Sequence, residues 1–384
     1  MSSLPIGVVG AGPGGLTTAA ALARAGREVR VFERAPAIQV AGAGLTVHVN
    51  AMRMLDALGL ADAVAAAGVP LVEGRVSTSA GRRLSSFAFE RAAAPFGQPI
   101  LGIHRARLSE VLAAALPSGA LQLDAALAEV RADDEHVDVT LASGEVVRVA
   151  ALIGADGLHS RVRERVFGPW PTRYSGYTCW RGVAPIPCPL GAGVTEERWG
   201  PGRRFGLVPI ARDATYWFAT ANVAAGGDDA DRHAAVTERF AHFGGAIAET
   251  LAATPAEAVL RHDIADLTPR TEWTRGLVAL LGDAAHATTP NLGQGACLAI
   301  EDGVTLAHAL TQGLPDAEAL QSWASARVER SHYVVNLSQR VGAVGQWESR
   351  PARALRDALV AAAPAWVSER QVTRLWAVEP PSFG

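Results

Sequence analysis

A glycine cluster and a carboxylate near the N-terminus have the spacing of a dinucleotide site. Gly10, Gly12 and Gly15 follow the order GxGxxG, between an apolar run that predicts a buried strand and an alanine-rich segment that predicts a helix. Glycines there permit a tight turn and let backbone amides approach a pyrophosphate at the helix N-terminus. Glu33 ends the next predicted strand, where a carboxylate can bind ribose hydroxyls. The pattern does not separate NAD from FAD, and its alternative is an ordinary turn.

Two aspartates each follow a further apolar run that predicts a buried strand. Asp156 lies in the motif Gly154-Ala-Asp-Gly-Leu-His-Ser-Arg, and Asp283 lies in Gly282-Asp-Ala-Ala-His. A second glycine-rich turn, 290–295, then precedes another predicted helix. Taken singly, each aspartate is equally well explained as a helix cap or a turn residue. Taken together, two carboxylates and two glycine-lined helix starts at strand ends predict a crevice around a long polar ligand.

The elements that must position these groups begin with a compact βαβ unit. It has strands at 6–9 and 29–32 and a helix at 16–25. Residues 174–267 alternate aromatic runs with turn residues, which predicts a mostly antiparallel sheet with one helix at 231–243. Further strands are predicted at 137–141, 146–149, 152–155 and 277–281, and further helices at 50–67, 105–116, 296–312 and from 320 onward.

The composition excludes several kinds of chemistry. All 35 basic residues are arginine, so the chain has no lysine for a P-loop, a Schiff base or general-base catalysis. A net charge of −3 gives no electrostatic reason to expect a nucleic acid partner.

Cysteine usage and the N-terminal segment bear on location. Cys179, Cys188 and Cys297 form no CxxC pair, so neither a metal site nor a disulfide framework is predicted, and we expect a cytoplasmic protein. Residues 1–23 carry no charge but several glycines, which predicts folded structure rather than a signal peptide or a membrane span.

The three motifs, in this order, resemble those of class A FAD-dependent monooxygenases with the para-hydroxybenzoate hydroxylase fold, over about residues 4–345. Segments 174–182 and 202–218 are most similar to those of urate hydroxylases, zeaxanthin epoxidases and salicylate-type hydroxylases. The resemblance implies an α/β fold, with a Rossmann-like FAD-binding domain, an inserted mostly antiparallel substrate domain and a C-terminal helical segment. It places the FAD-binding domain at 1–75, 98–173 and 273–345, substrate-domain strands at 76–97, the substrate domain at 174–272 and the helical segment at 346–384.

The resemblance also implies the residues that bind FAD. The glycine loop would hold the pyrophosphate, Glu33 the adenosine ribose, and Val130 would lie near the adenine. Arg105 would contact the flavin side of the cofactor, Asp283 the pyrophosphate and ribityl chain, and Asp156 both FAD and the reduced nicotinamide nucleotide. The complete predicted set is Gly10, Gly12, Pro13, Gly14, Gly15, Glu33, Arg34, Ala43, Gly44, Arg105, Val130, Asp156, Asp283, Pro290, Gly293, Gln294 and Gly295.

The activity implied by the resemblance is oxygen insertion into an electron-rich aromatic or heteroaromatic small molecule, by hydroxylation or epoxidation. NADH or NADPH would bind transiently and reduce FAD, and O₂ would then form a flavin C4a-hydroperoxide. Arg204 and Tyr216 are the predicted catalytic residues, with core or surface roles as the alternative. The predicted substrate pocket adds Trp180, Arg181, Trp217, Pro290 and Asn291. The sequence leaves open NADH against NADPH and a monomer against a homodimer.

Three other functions compete with this prediction. A flavoprotein of the same fold could act as a reductase or oxidase without inserting oxygen. A noncatalytic protein could bind a planar aromatic compound, although such a protein need not keep the complete glycine and aspartate set. A plain NAD dehydrogenase would leave the motifs around Asp156 and Asp283 unexplained.

Overall fold

The helices and strands follow from a computed structural model that describes residues 4–38 and 43–383, with the backbone alone for 365–368. The helices are α1 (Pro13–Arg24), α2 (Val49–Ala57), α3 (Ala61–Ala67), α4 (Phe89–Ala93), α5 (Arg105–Ala114), α6 (Arg161–Phe167), α7 (Arg232–Phe240), α8 (Gly245–Ala253), α9 (Asp283–His286), α10 (Gly295–Ala309), α11 (Asp316–Gly345), α12 (Arg350–Ala362) and α13 (Ala365–Trp376).

The strands are β1 (Ile6–Val9), β2 (Val29–Phe32), β3 (Gly44–Val47), β4 (Val69–Pro70), β5 (Glu73–Thr78), β6 (Arg83–Ala88), β7 (Leu101–His104), β8 (Leu121–Gln122), β9 (Leu127–Ala132), β10 (Val137–Leu141), β11 (Val146–Val149), β12 (Ala151–Gly154), β13 (Thr172–Ala184), β14 (Val194–Gly200), β15 (Arg203–Ala211), β16 (Ala214–Ala221), β17 (Leu260–Leu267), β18 (Thr274–Arg275) and β19 (Val278–Leu280).

A six-stranded sheet brings the three sequence motifs to one edge. Its order is β18-β19-β12-β1-β2-β8, and all neighbours except β18 and β19 run parallel. Gly10 follows β1, Asp156 follows β12 and Asp283 follows β19, so all three lie at carboxyl ends of adjacent parallel strands. This is the edge at which ligands bind in open α/β sheets.

A seven-stranded sheet, in the order β17-β13-β16-β15-β14-β5-β6, forms the second layer. It is antiparallel except for the β14–β5 pair. Because side chains alternate along a strand, the sheet has two faces. The outer face, covered by α7 and α8, carries Phe205 and Trp217. The inner face carries Arg204 and Tyr216 and lies against the small sheet β3-β7-β4.

Two glycines let the small sheet approach the inner face closely. A Cβ atom at Gly44 would lie 2.5 Å from Cβ of Tyr216, and one at Gly102 would lie 2.1 Å from the Pro209 carbonyl oxygen. The strand that carries Gly44 is therefore in direct contact with the sheet of the predicted catalytic residues.

The predicted α/β fold class is confirmed, and the differences are local. The helix predicted at 50–67 is two helices, α2 and α3, because the chain turns at Gly59 with φ +72°. Helix α8 was not predicted. Strand β5 already belongs to the seven-stranded sheet and begins at Glu73, before the predicted boundary at residue 76; the domain boundaries stay a prediction.

Within the described residues, no helix has the length and apolar character needed to cross a membrane.

Candidate active site

The glycine loop after β1 is shaped to leave room at the start of α1. Gly10 has φ +105°, and a Cβ there would lie 2.5 Å from the Ala155 carbonyl oxygen; one at Gly15 would lie 2.0 Å from the Gly10 oxygen. A Cβ at Gly12 would meet no protein atom within 4 Å, and Gly12 is the N-cap of α1 without a side-chain cap. Open space in front of uncapped backbone amides is what a pyrophosphate requires. The loop therefore fits the phosphates of FAD.

Glu33 supports this loop from the end of β2. Its two carboxylate oxygens accept hydrogen bonds from the backbone amides of Ala11 (2.8 Å) and Ala35 (2.9 Å). The sequence predicted only a contact of Glu33 with the ribose. It did not predict that Glu33 also holds the glycine turn through these backbone amides. Arg34 is exposed beside it, and Val130 lies half-buried on β9, packed against the main core. The roles of these three residues toward FAD remain predictions.

Asp156 binds the first turn of helix α6, whose N-cap residue is Ser160. Its carboxylate accepts hydrogen bonds from the backbone amides of Arg161 (2.6 Å) and Val162 (3.1 Å) and from the Ser160 hydroxyl (2.5 Å). Burial raises the pKa of Asp156, while these hydrogen bonds lower it. These bonds to the first turn of α6 are of the kind that the sequence suggested when it offered a helix cap as the alternative role of Asp156. A role of Asp156 toward FAD stays a prediction.

Asp283, the first residue of α9, lies at the neighbouring strand end. Its side chain is exposed in the crevice, yet the surrounding protein atoms withdraw it from bulk water and raise its pKa. The charges of His286 and Arg105 act in the opposite direction. The structure thus brings Arg105 and Asp283, which come from distant parts of the sequence, to one site.

Arg163 was not predicted and joins the two aspartate motifs. Its guanidinium is buried, with Nη1 donating to the Ala284 carbonyl (2.8 Å) and Nη2 to the Leu158 carbonyl (2.6 Å). It therefore holds the turn after β12 against the turn after β19. The available signal was its position two residues into the helix that follows the Asp156 motif.

A buried hydrogen-bond network lies behind the turn 290–295. The Asn50 Nδ2 donates to Gln294 Oε1 (2.9 Å) and to Glu301 Oε1 (2.6 Å), and Arg330 donates to both oxygens of Glu301 at 2.6 Å. In the described part of the chain, Asn50 Oδ1 and Gln294 Nε2 find no partner although both are buried. Unpaired buried polar atoms are costly, so this donor and this acceptor fit a polar ligand such as the flavin.

His48 lies between β3 and the same turn. Its Nε2 is 3.1 Å from the Thr46 hydroxyl, and a Cβ at Gly293, which has φ +64°, would come within 2.9 Å of that nitrogen. Its Nδ1 is buried and unpaired among the described residues. Desolvation lowers the pKa of His48 to about 4, so the imidazole is neutral at physiological pH. The sequence analysis did not predict His48 as a residue that could contact a ligand.

Asn291 connects the turn 290–295 to the seven-stranded sheet. Its Oδ1 accepts from Arg204 Nη2 (2.5 Å), and its Nδ2 donates to Thr289 Oγ1 (2.8 Å) and to the Ser338 carbonyl (2.9 Å). A Cβ at Gly342 would lie 2.3 Å from Nδ2, so the glycine provides the space for this amide. Pro290 is exposed at the start of the turn.

The two predicted catalytic residues both lie on the inner face. Arg204 is 2% exposed and also donates to Glu197 (3.1 Å) and Gln346 (2.9 Å). Tyr216 is buried, which raises its pKa to about 12, with Arg181 acting against this rise. Their contact with a substrate remains a prediction.

The predicted pocket residues divide between the two faces. Arg181 pairs with Phe218 in the register of β13 and β16 and so shares the inner face. The prediction is wrong for Trp180 and Trp217. Both are at most 1% exposed in the core under α7 and α8, where their Nε1 atoms bond Asp229 and Thr254. The alternation of side chains along a strand places neighbours in sequence on opposite faces.

A cavity of about 360 Å³ opens where the turn 290–295, β13 and α11 meet. Tyr177, Asn291 and Gln346 are among its lining residues. The Tyr177 ring also lies 5.6 Å from the Arg204 guanidinium carbon. Hydrogen-bonding groups thus surround a space next to the predicted cofactor turn.

Comparison with known proteins agrees with this geometry. Residues 3–338 match the family described as FAD binding domain. The chain is 41% identical over 360 residues to the aurachin C monooxygenase/isomerase of Stigmatella aurantiaca, covering 94% of each chain. It is 33% identical over 361 residues to the 2-heptyl-3-hydroxy-4(1H)-quinolone synthase of Pseudomonas aeruginosa, covering 93% of this chain and 94% of that protein.

The structure is also similar to that of Klebsiella pneumoniae HpxO complexed with FAD and uric acid. The TM-score is 0.91 with 26% identity, covering 98% of this chain and 97% of that chain. The family match covers most of the sequence and includes all three motifs. The chain therefore belongs to the FAD binding domain family, as a class A FAD-dependent monooxygenase with FAD as its cofactor.

Proposed function

We propose that this monooxygenase oxidises a bicyclic nitrogen heteroaromatic of the 4-quinolone class, by hydroxylation or epoxidation of the ring. The similarity to the aurachin C monooxygenase/isomerase and to the 2-heptyl-3-hydroxy-4(1H)-quinolone synthase supports this class. The observation that carries the proposal is the Arg204–Asn291 hydrogen bond of 2.5 Å. It joins the turn predicted to approach the flavin to the sheet face predicted to bind the substrate.

FAD, when bound, supplies the transfer of electrons from NADH or NADPH to O₂ and the delivery of oxygen to the substrate. The residues of the chain bind and orient the cofactor and the substrate, and they exclude water from the site. The bonds of Arg204 to Glu197 and Gln346 fix its guanidinium beside Asn291. This pair presents fixed polar groups for the carbonyl or ring N–H of a quinolone.

Tyr216 acts in this proposal as a neutral hydrogen-bonding group rather than as a base. With a pKa of about 12 its hydroxyl keeps its proton over the working range of pH. His48, with a pKa of about 4, is likewise neutral and offers Nδ1 to the ligand without a change of charge. Both groups orient partners and leave the exchange of protons to water, the substrate and the cofactor.

The test is oxidation of defined compounds by the purified holoenzyme. We expect a yellow protein that releases FAD on denaturation and consumes NADH or NADPH faster in the presence of a 4-quinolone. With ¹⁸O₂ one labelled oxygen atom should enter the quinolone, whereas phenols and purines should react more slowly. Product without label would indicate a reductase or oxidase, and preference for a phenol or purine would reject the quinolone class.

We further propose a cytoplasmic location, in which NADH and NADPH are available. All three cysteines are free thiols in the structure, as expected in a reducing compartment. Expression as a fusion to a fluorescent protein, followed by cell fractionation, tests the location. Light scattering on the purified protein decides between the monomer and the homodimer.

A further inference from the structure

The inner face of the seven-stranded sheet changes from polar to apolar along its strands. The strand register aligns Trp199, Arg204 and Thr220 in one row across the sheet, and Val208, Tyr216 and Val183 in another. Arg204 and Val208 are four residues apart on β15, which is about 13 Å along an extended strand. The inner face thus carries hydrogen-bonding groups at one end and, apart from the Tyr216 hydroxyl, apolar groups at the other.

Around the apolar row lies a group of apolar side chains that we call the Trp376 cluster. Its members come from β6, the turn 94–96, β16, the turn 290–292, α11 and α13. They are Phe87, Phe96, Phe218, Leu292, Leu337 and Trp376. All except Trp376 are only half-buried, although aromatic and leucine side chains in a closed core are normally fully buried. Half-buried apolar side chains from five segments, together with Trp376, leave apolar surface uncovered next to the site, and we call this surface the apolar recess.

Trp376 is the buried member of this cluster. It is 1% exposed, and its ring packs edge-on against Phe87 (centroids 6.4 Å apart) and Phe96 (6.2 Å), with His48 at 6.3 Å. The His48 contact places the tryptophan next to the residue that lies between β3 and the turn 290–295.

Two arginines hold the C-terminal segment in this position. Arg330 donates to the Leu375 carbonyl (2.8 Å) and Arg53 to the Val378 carbonyl (2.7 Å). Arg330 also pairs with Glu301 of the network behind the turn 290–295. The tryptophan is thus a fixed wall of the site and not a loose terminal residue.

We propose that the Trp376 cluster is the subsite for a linear alkyl chain on the substrate, so that the enzyme prefers 2-alkyl-4-quinolones to the bare ring. The inference rests on the proposed function and narrows its substrate class. An alkyl chain matches the recess because both are apolar, and its burial removes the chain and the half-exposed side chains from water together. The polar ring then lies toward Arg204 and Asn291.

The experiment is a chain-length series on the holoenzyme, with 4-quinolones that carry methyl, propyl, pentyl and heptyl chains at position 2. Burial of each methylene should lower KM by up to about fourfold, while kcat changes little. In the Trp376→Ala and Phe87→Leu variants the decrease in KM per methylene should be smaller. Phe87 is half-buried, so its variant tests the subsite even if Trp376→Ala fails to fold.

Leu359→Ala is the matched control. Leu359 lies on α12 with 61% of its surface exposed, so its truncation should leave the chain-length dependence unchanged. The same series is titrated into the oxidised enzyme under anaerobic conditions, where the shift of the flavin absorbance gives Kd without turnover.

The outcomes separate this inference from the proposed function. Oxidation of the methyl compound with equal KM for all chain lengths would overturn the subsite and leave quinolone oxidation standing. An equal chain-length dependence in the wild type and both cluster variants would overturn it as well, because the chain would then lie elsewhere. If no quinolone is oxidised, the proposed function fails, and the dependence of Kd on chain length still decides whether the recess binds alkyl chains.

Discussion

Burial determines which side chains near the inner face can exchange protons at physiological pH. It raises the pKa of Tyr216 to about 12 and lowers that of His48 to about 4. The two shifts have one physical cause, since desolvation disfavours the phenolate and the imidazolium alike. Tyr216, a predicted catalytic residue, and His48 are therefore neutral hydrogen-bonding groups in the folded protein.

A Tyr216→Phe variant tests the neutral role of the tyrosine. Loss of one hydrogen bond to the substrate should lower kcat/KM by about tenfold. Because the hydroxyl stays protonated, this factor should be the same from pH 6 to pH 9. A factor that grows with pH would instead show that the tyrosinate acts as a base. Tyr174→Phe, which removes a hydroxyl bonded to the Val223 carbonyl, is the control and should keep kcat/KM.

A His48→Gln variant tests the charge state of the histidine through stability. Between pH 6.5 and about 4 the unfolded chain binds a proton at this residue and the folded chain does not, so wild-type stability falls as the pH is lowered through this window. The contribution reaches at most about 3 kcal/mol. The variant lacks this loss, so its Tm should rise relative to the wild type as the pH falls.

The control for this measurement is His159→Gln, because His159 is exposed. Its Tm should follow the wild-type curve over the same pH range. If the His48 variant and the control show the same pH dependence, the histidine is not buried as a neutral group.

At the scale of elements, the glycine loop and the strands of the six-stranded sheet could be predicted because local signals define them. Apolar runs that end in Gly10, Asp156 and Asp283 predict parallel strands whose carboxyl ends meet, and the structure has them at adjacent positions. The same local signals predict one helix at 50–67, whereas the structure has two. The chain turns at Gly59, and the periodicity of apolar residues does not show this turn.

Contacts between distant segments could not be predicted in this way. The burial of Trp180 and Trp217 depends on α7 and α8 covering the outer face, and sequence periodicity does not tell which face of a sheet is covered. Arg163 and the Asn50–Glu301 network join segments more than 100 residues apart, so no local pattern marks them. The strand ends that carry the three motifs were therefore easier to predict than the packing of the seven-stranded sheet.

A pair of alanine variants tests the glycine loop. Gly12→Ala should weaken FAD binding at least tenfold, because its Cβ would enter the space predicted to hold the pyrophosphate. It should change the free energy of unfolding of the apoprotein by less than about 0.5 kcal/mol, because Gly12 has φ −75° and its Cβ would contact no protein atom within 4 Å. Gly10→Ala should destabilise the apoprotein as well, owing to its positive φ and the contact with Ala155. Titration with FAD and thermal unfolding separate the two effects. Unchanged FAD affinity in Gly12→Ala would place the pyrophosphate elsewhere.

At the scale of the whole molecule, the C-terminal segment completes the site from outside the matched family region. That region ends at residue 338, whereas Trp376 packs between the seven-stranded sheet and the elements beside the turn 290–295. The bonds from Arg330 and Arg53 to backbone carbonyls hold it there. The last helix thus joins the seven-stranded sheet to the elements beside the turn 290–295.

Truncation after residue 363 tests this joining role. Loss of the buried Trp376 and Leu375 should lower Tm by at least about 5 °C, since removing one large buried side chain alone costs several kcal/mol. The FAD content per chain should stay at that of the full protein, because the glycine loop and both aspartate motifs are retained. A full protein and a truncated protein of equal Tm would contradict the packing described here.

The two faces of the seven-stranded sheet have a consequence for directed evolution. On β15 and β16 the even-numbered positions, such as 204, 216 and 218, point to the inner face, whereas 205 and 217 fill the core under α7 and α8. Substitutions at the even positions should therefore change the groups beside the predicted cofactor turn, whereas substitutions at the odd positions should mainly change the stability of the core under α7 and α8. Because Arg204 and Tyr216 are buried as well, a mutant library at the even positions should keep most of its folded clones among conservative replacements.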